Sequence, residues 1–505
     1  MRTKKIALNV VSDILPYILI GVVGLLKVKY LITYIGDDGN GYYQFINQVI
    51  SYVFLAQGGF SQAVIYSLYK PFAQKNKDDI NAIYSGARYI FKKIGFLIFG
   101  IIVLTTIGLS FFYSNNVSIL ITFFIISTSY LIAYFGRTQT YTAVLTSNQE
   151  KYISSIVLNF MKLLCDILTI IVIVKFRTLE SIAILILCIK IVEELIMRLV
   201  VKKHYPWLHE VANKNTSMKR MTKDLIWVQF GYLVLNNVDS ILIMIFMGPV
   251  YVSIYTSYTY IMRYLNEVSS RISGGVESSF GNVFASGEKK RAREVFKELQ
   301  VLYIIITFSM CLTYLVGIKS FVNIWIGDAK YLLDYHTVIF FTLILFFNMI
   351  YYPLVSIMNA NGMFKDSKNQ VMICASINLI FSIILINFFG LDGILFATAL
   401  GFLVSIYLKC NVINKKVFKE EKLITILSHY IKASFIFIVL CYITKFIEPI
   451  VFNQINNLIS CLFVLCIVYI INLILIIGGM YIIDKQNVKN IFSRFSNLLK
   501  RKKEA

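Results

Sequence analysis

The residues best suited to chemistry are three charges within one apolar stretch, Tyr260–Ser279 (YIMRYLNEVSSRISGGVESS). Arg263, Glu267 and Arg271 recur every four residues, so a helix would carry them on one face. Arginine suits phosphate binding because its planar guanidinium group can hold two oxygens at once. The spacing therefore predicts either a cationic stripe that binds an anion such as phosphate, or an internal Arg–Glu–Arg ladder.

The depth of this stripe in a membrane determines whether its side chains must face protein or water. Arg263 lies fourteen residues after Pro249, or about 21 Å along a helix, which is near the middle of a hydrocarbon core of ~30 Å. Arg271 lies about 12 Å further, toward the inner mouth. Exposing Arg263 to lipid would cost about 2.5–3.5 kcal/mol, so its side chain should face protein or water.

The amino-acid composition indicates that the protein lies in a membrane. The 505 residues are 58% hydrophobic and 15% charged, with a mean hydropathy of +0.71, whereas soluble domains carry about 25% charged residues. We predict an all-α polytopic membrane protein with about 14 transmembrane helices. Since a crossing needs about 20 apolar residues, the spans are placed at 6–31, 42–69, 84–112, 117–146, 151–174, 180–201, 224–247, 251–285, 296–318, 334–360, 367–388, 392–414, 423–445 and 453–484.

The distribution of basic residues predicts the orientation. Most Lys and Arg residues lie in alternate loops and at the termini, whereas the other set of loops holds only Lys175, Arg177, Lys319, Lys330 and Lys445. This bias follows the positive-inside rule and predicts that both termini are cytoplasmic. The net charge of +22 is then expected to meet anionic membrane lipids, and nucleic acid is not a predicted partner.

An internal repeat indicates two halves. Gly58 and Gly59 in span 2 correspond to Gly274 and Gly275 in span 8, at an offset near 216. These glycines and Pro16 are predicted to be packing or hinge points. We therefore predict two pseudo-symmetric six-helix bundles, at 1–223 and 224–422. Two extra helices (13 and 14) are predicted at 423–484, and a basic cytoplasmic tail at 485–505.

Further cavity residues are expected around the stripe. Lys27 in span 1 could pair with Asp239 in span 7, and Arg137 in span 4 could face the same cavity. The amides of Asn47, Gln48 and Asn237 could bind sugar hydroxyls or form ordinary interhelical hydrogen bonds.

Two i,i+4 pairs of opposite charge are expected to be structural. They are Lys162 with Asp166 in span 5 and Lys190 with Glu194 in span 6.

No enzymatic chemistry is predicted. The four histidines are far apart, and the sequence has no GxSxG, HExxH or Walker A motif. No loop is long enough for a separate catalytic domain. We expect no cofactor, no metal site and no catalytic residue.

The chain resembles the Wzx-type lipid-linked oligosaccharide flippases of the multidrug/oligosaccharidyl-lipid/polysaccharide exporter superfamily. The resemblance spans essentially the whole chain. It rests on fourteen spans, two six-span halves and basic inner loops after spans 2, 6, 8 and 12. It also rests on the polar junctions LTSNQEKY (145–152) and MNANGMFKDSKN (358–369).

The resemblance implies a V-shaped exporter fold with a central cavity, in a bacterial cell membrane. The implied cargo is an undecaprenyl-diphosphate-linked oligosaccharide, moved from the inner to the outer leaflet for O-antigen, capsule or exopolysaccharide synthesis. A polysaccharide polymerase and glycosyltransferases are implied partners. Related flippases line the cavity with basic residues from spans 1, 2 and 8. Lys27 and Arg263 match this pattern, whereas span 2 has only amides.

Two other functions compete with this one. A multidrug efflux antiporter of the same superfamily would need buried carboxylates for cationic drugs, which Arg263 would repel. A membrane polysaccharide polymerase would need a sizeable outer loop with catalytic residues, and the largest outer loop has about sixteen residues.

Overall fold

The protein is described by a computed structural model that covers residues 2–57, 59–216, 223–285, 289–361, 363–418, 423–444, 451–452 and 455–501. These residues form helices joined by short connections, and no β-strand occurs within them. In chain order the α-helices are α1 Arg2–Ile35, α2 Asp37–Val53, α3 Phe60–Gln74, α4 Lys77–Phe112, α5 Val117–Phe135, α6 Thr138–Ser147, α7 Lys151–Phe176, α8 Leu179–His204, α9 Lys223–Phe246, α10 Pro249–Ala285, α11 Lys289–Ile326, α12 Tyr335–Ile350, α13 Tyr352–Ala360, α14 Phe364–Lys416, α15 Leu423–Thr444, α16 Leu458–Ile483 and α17 Lys485–Arg501.

These helices confirm the predicted all-α membrane fold with about 14 spans. Eight segments in the described part of the chain are long and apolar enough to cross a bilayer by themselves. Spans 11 and 12 are merged in α14, where Gly390 has a non-helical conformation (φ 55°, ψ −130°) that favours glycine. Asn378 bonds to Thr398 across this turn, so the two arms form an antiparallel hairpin.

The chain divides into two compact units. The first comprises residues 1–233 and 243–253, and the second comprises residues 234–242 and 254–505. The four-part division expected from the sequence stays a prediction.

The predicted hinge residues lie in different backbone settings. Span 2 is interrupted, because α2 is followed by a short 3₁₀ helix, Phe54–Gln57, and α3 begins directly after Gly59. Gly58 lies outside the described residues. By contrast, α1 continues through Pro16, and α10 continues through Gly274 and Gly275.

Span 4 is also interrupted, and a buried carboxylate holds the interruption. Helix α5 ends before Gly136 and α6 begins at Thr138. Glu194 of α8 accepts hydrogen bonds from the backbone N–H groups of Arg137 (2.7 Å) and Thr138 (3.0 Å). A carboxylate at a helix N-terminus is favourable because it satisfies free N–H groups and complements the helix dipole. Arg88 donates to the carbonyl of Gly136 at 2.8 Å.

The first turns of α2 and α10 pack against each other within the first unit. Asn40 Nδ2 donates to Ser253 Oγ at 2.7 Å, and these residues are 213 apart in sequence, close to the offset of the repeat. A Cβ atom on Gly41 would collide with the carbonyl group of Pro249. The backbones therefore approach at a distance that only glycine permits.

The C-terminal tail is a helix that docks on the second unit. Val488 of α17 is buried against Val301 and Ile305 of α11, and Asn490 donates to Glu298 at 3.1 Å.

The approach at Gly41 yields a stability prediction. Gly41→Val should destabilise the protein by about 1–3 kcal/mol because the new side chain meets rigid backbone. The measurement is the thermal unfolding midpoint of the purified protein in detergent. Gly100→Val is the matched control, since nothing lies within 4 Å of a Cβ there. Equal midpoints for the two variants would contradict the close packing.

Candidate functional site

Arg263 is an exposed cation in the middle of α10. Among the described residues, no side chain forms a hydrogen bond or an ion pair with its guanidinium group. Arg271, in contrast, bonds to Glu267 at 3.0 Å, with both side chains partly exposed. Only the inner two members of the stripe form the expected ladder, so Arg263 remains available for an anion.

The opposite face of α10 borders an apolar groove within the second unit. Ile261 and Leu265 line this groove, and each lies two residues from Arg263, or about 200° around the helix. The groove has a volume of about 530 Å³. Its remaining lining comes from α11 and α16, at Met310, Thr313, Tyr314, Gly317, Ile318, Phe321, Leu462, Leu465, Cys466, Tyr469 and Ile470. Helix α10 thus presents a cation on one face and an apolar groove on the other.

Lys27 belongs to a cluster with a net positive charge in the first unit. Its Nζ lies 2.5 Å from Asp166, and Lys162 lies 3.1 Å from the same carboxylate. The Lys162–Asp166 pair is confirmed. The predicted pairing of Lys27 with Asp239 is wrong, because α7 packs beside α1 and brings Asp166 to Lys27. Two ammonium groups share one carboxylate, so one positive charge is left over.

Asp239 is 2% exposed and has hydroxyl partners. Its carboxylate accepts hydrogen bonds from Thr398 at 2.9 Å and from Tyr255 at 3.1 Å. Asn378 donates to Thr398 at 2.7 Å, and the carbonyl oxygen of its side chain has no hydrogen-bond partner among the residues that the structure describes. No basic side chain in the described part of the second unit pairs with Asp239.

A buried carboxylate of this kind requires a counter-charge, either a cation or a proton. The neighbouring oxygens of Asp239, Thr398, Tyr255 and Asn378 are hard ligands, which suit a hard cation. The described residues contain no cluster of three or more His, Cys, Asp or Glu side chains. With one carboxylate only, the group is better matched in charge to a monovalent cation such as Na⁺. The sequence did not reveal this group, since its members come from four separate spans.

Arg137 lies at the interruption of span 4. It bonds to Glu210 at 3.3 Å and to the hydroxyl of Tyr141 at 3.4 Å. Glu210, in the loop after α8, also pairs with Arg88 at 2.6 Å. Arg137 therefore takes part in a local ionic network, and its role in substrate binding stays a prediction.

The expected pair of Lys190 with Glu194 is wrong. Glu194 is occupied by the start of α6 and by Arg198, whose Nε donates to it at 2.7 Å. Lys190 instead bonds to Glu193 at 2.9 Å.

The three candidate amides are partly buried. Asn47 donates to the carbonyl of Tyr43 in its own helix at 2.7 Å. For Gln48 and Asn237, the described residues include no hydrogen-bond partner. Their predicted contacts with sugars stay predictions.

Solved structures of membrane transporters share this fold. An inward-facing multidrug resistance MATE family transporter of the MOP superfamily matches with a TM-score of 0.66 and 10% identity, over 84% of this chain and 98% of its own. The lipid II flippase MurJ, in an inward closed conformation, matches with a TM-score of 0.67 and 14% identity, over 92% and 98%. A mutant of the Vibrio cholerae MATE transporter VcmN matches with a TM-score of 0.57 and 12% identity, over 83% and 99%.

No protein-family model matches the sequence, and no curated protein matches it either. At these identities the structural likeness shows the fold alone, which this chain shares with those transporters.

The oxygen ligands around Asp239 predict that Na⁺ raises the thermal stability of the protein. Replacing choline by Na⁺ should raise the unfolding midpoint of the wild-type protein, since a ligand that binds only the folded state stabilises it. Asp239→Asn keeps the shape and removes the charge, so its midpoint should not respond to Na⁺. The measurement is the thermal unfolding midpoint of detergent-purified protein at constant ionic strength. An equal Na⁺ response in both proteins would contradict the assignment.

Proposed function

We propose that the protein is a flippase for undecaprenyl-diphosphate-linked oligosaccharides. It would move them from the inner to the outer leaflet of a bacterial cell membrane by alternating access, for O-antigen, capsule or exopolysaccharide synthesis. The single observation that carries this proposal is the exposed guanidinium group of Arg263, in the middle of α10, which is the predicted span 8, and without a described partner. Glycosyltransferases would supply the substrate and a polymerase would consume it.

The chemistry of the substrate explains why such a cation is needed. A diphosphate is charged and a glycan carries many hydroxyl groups, so both would lose hydrogen bonds to water in hydrocarbon. A guanidinium group offers two parallel hydrogen bonds to phosphate oxygens, which are stronger than bonds between neutral groups. Arg263 is the proposed diphosphate contact. Lys27 and Arg271 are proposed to add positive charge, and Glu267 to orient Arg271.

The polyprenyl tail has a different requirement. It is apolar, so it can stay in lipid or in an apolar groove while the headgroup crosses. The groove beside α10, α11 and α16 is apolar, and we propose that it holds a later part of the tail, since it lies on the opposite face of α10 from Arg263. The two faces of α10 then match the two parts of a lipid-linked substrate.

A multidrug efflux antiporter is the second candidate. The observation in its favour is Asp239, a buried carboxylate that Lys27 does not neutralise. A cationic drug would be repelled by Arg263, however, and its binding would not require the apolar groove. The lipid II flippase also matches 92% of this chain, against 84% and 83% for the two MATE transporters. These points favour the lipid-linked substrate.

The role of Arg263 is testable in cells that depend on this protein for polysaccharide export. Arg263→Ala should abolish export, because the diphosphate loses its charge-assisted contact. Arg263→Lys should restore part of it, since a lysine keeps the charge but not the paired hydrogen bonds. The measurement is surface polysaccharide per cell, normalised to the amount of protein in the membrane.

Lys175→Ala is the control, because Lys175 is an exposed lysine at the far end of α7. It should export at the wild-type level. Full export by Arg263→Ala would remove the assignment of the diphosphate contact.

The groove is tested by filling it. Cys466 is an exposed cysteine that lines the groove, and Cys466→Trp should lower export several-fold by excluding the tail. Cys188→Trp is the matched control, since Cys188 is also exposed but lies on α8. The readout is again surface polysaccharide at equal protein level. If both tryptophan variants export equally, the tail does not use this groove.

A further inference from the structure

A second cavity lies in the first unit, between α4, α5 and α8, and the proposed function does not use it. Its volume is about 420 Å³, within the usual range for small-molecule sites. Phe99, Thr128, Leu131, Ile132, Phe135, Gly136, Glu194 and Arg198 line it. Most of these side chains are apolar, and the two charged ones lie together at one end.

The charged end of the cavity is built from a bonded pair. Glu194 is buried and already accepts hydrogen bonds from the start of α6, while Arg198 is 47% exposed at its side chain. Only Nε of Arg198 bonds to Glu194. Among the described residues, the two terminal nitrogens of Arg198 have no partner, so they can donate to an anion at the mouth of the cavity.

The surroundings of Arg198 are basic. Lys202 and Lys203 are exposed in the last turn of α8. The nearby carboxylates of Glu193 and Glu194 are each already bonded to a cation. Lys202 lies one helical turn after Arg198 and therefore adds a positive charge beyond the Glu194–Arg198 pair on that side of α8.

The apolar part runs away from this charge toward the middle of the membrane. From Gly136 to Thr128 it follows two turns of α5, about 12 Å. Phe96 and Phe99 of α4 are exposed along its edge, and Phe96 packs edge-on against Phe135 at 4.9 Å. One end of the cavity is positively charged and lies near the basic ends of the helices, and the rest is an apolar channel toward the midplane. These two regions match the charged headgroup and the apolar acyl chains of a membrane lipid.

We propose that this cavity binds one anionic glycerophospholipid of the leaflet that meets the basic helix ends, with its phosphate on Arg198 and one acyl chain along Ile132 and Thr128. Basic pockets between transmembrane helices on that side are suited to anionic headgroups. The same Arg198 holds Glu194, which caps α6. Binding of this lipid would therefore make the packing at the start of α6, where span 4 is interrupted, depend on the phospholipid composition of the leaflet.

The test measures phospholipid binding to the full-length protein in neutral detergent, by native mass spectrometry and by thermal unfolding. Phosphatidylglycerol should bind and raise the unfolding midpoint more than phosphatidylcholine. Arg198→Gln should weaken phosphatidylglycerol binding about fivefold, the effect expected of one basic residue at an anionic lipid, and Arg198→Lys should keep most of it.

A second variant tests the apolar channel without changing charge. Ile132→Trp should reduce phosphatidylglycerol binding by filling the channel. Ile121→Trp is its control, since Ile121 is exposed on the same helix three turns away and should bind as the wild type does. Equal binding by all variants, or equal binding of phosphatidylcholine and phosphatidylglycerol, would overturn the proposal. Displacement of bound phosphatidylglycerol by an undecaprenyl-diphosphate lipid at lower concentration would overturn the assigned occupant.

Discussion

The whole structure depends on the cost of placing a charge in hydrocarbon. Most charges in the spans are compensated by a neighbour: Asp166 with Lys27 and Lys162, Glu193 with Lys190, and Glu194 with Arg198. Lys409 is fully buried, with its ammonium over the ring of Tyr351. Like Lys409, Arg263 and Asp239 have no oppositely charged partner among the described residues. Function is expected where this cost is left uncompensated.

The interrupted helices follow from the same constraint. A helix that stops inside a membrane leaves free N–H and C=O groups, which must find partners in the protein. At the interruption of span 4 these partners are the carboxylate of Glu194 and the guanidinium of Arg88. Span 10 is likewise divided, between α12 and α13 at Tyr351. The two halves of the chain thus share an interrupted fourth helix, in agreement with the repeat seen in the sequence.

The sequence predicted the membrane fold well because hydrophobic length and helix length are set by the bilayer alone. It predicted partners poorly wherever they lie on different helices. Lys162 and Asp166 share one helix and were paired correctly, whereas Lys27 was assigned to Asp239 and meets Asp166. Lys190 is three and four residues before two adjacent glutamates, and it pairs with Glu193 because Glu194 accepts hydrogen bonds from the start of α6. To predict the oxygen-rich surroundings of Asp239, one would have to know that four spans converge there.

Movement of a lipid-linked oligosaccharide between leaflets is the activity that we propose for this protein. The most direct test reconstitutes the purified protein in liposomes with a fluorescent undecaprenyl-diphosphate oligosaccharide and measures its transfer between leaflets with a membrane-impermeant quencher. We expect protein-dependent transfer of this lipid and no transport of a cationic drug in the same liposomes. Drug transport without transfer of the lipid would contradict the account and identify the protein as an exporter.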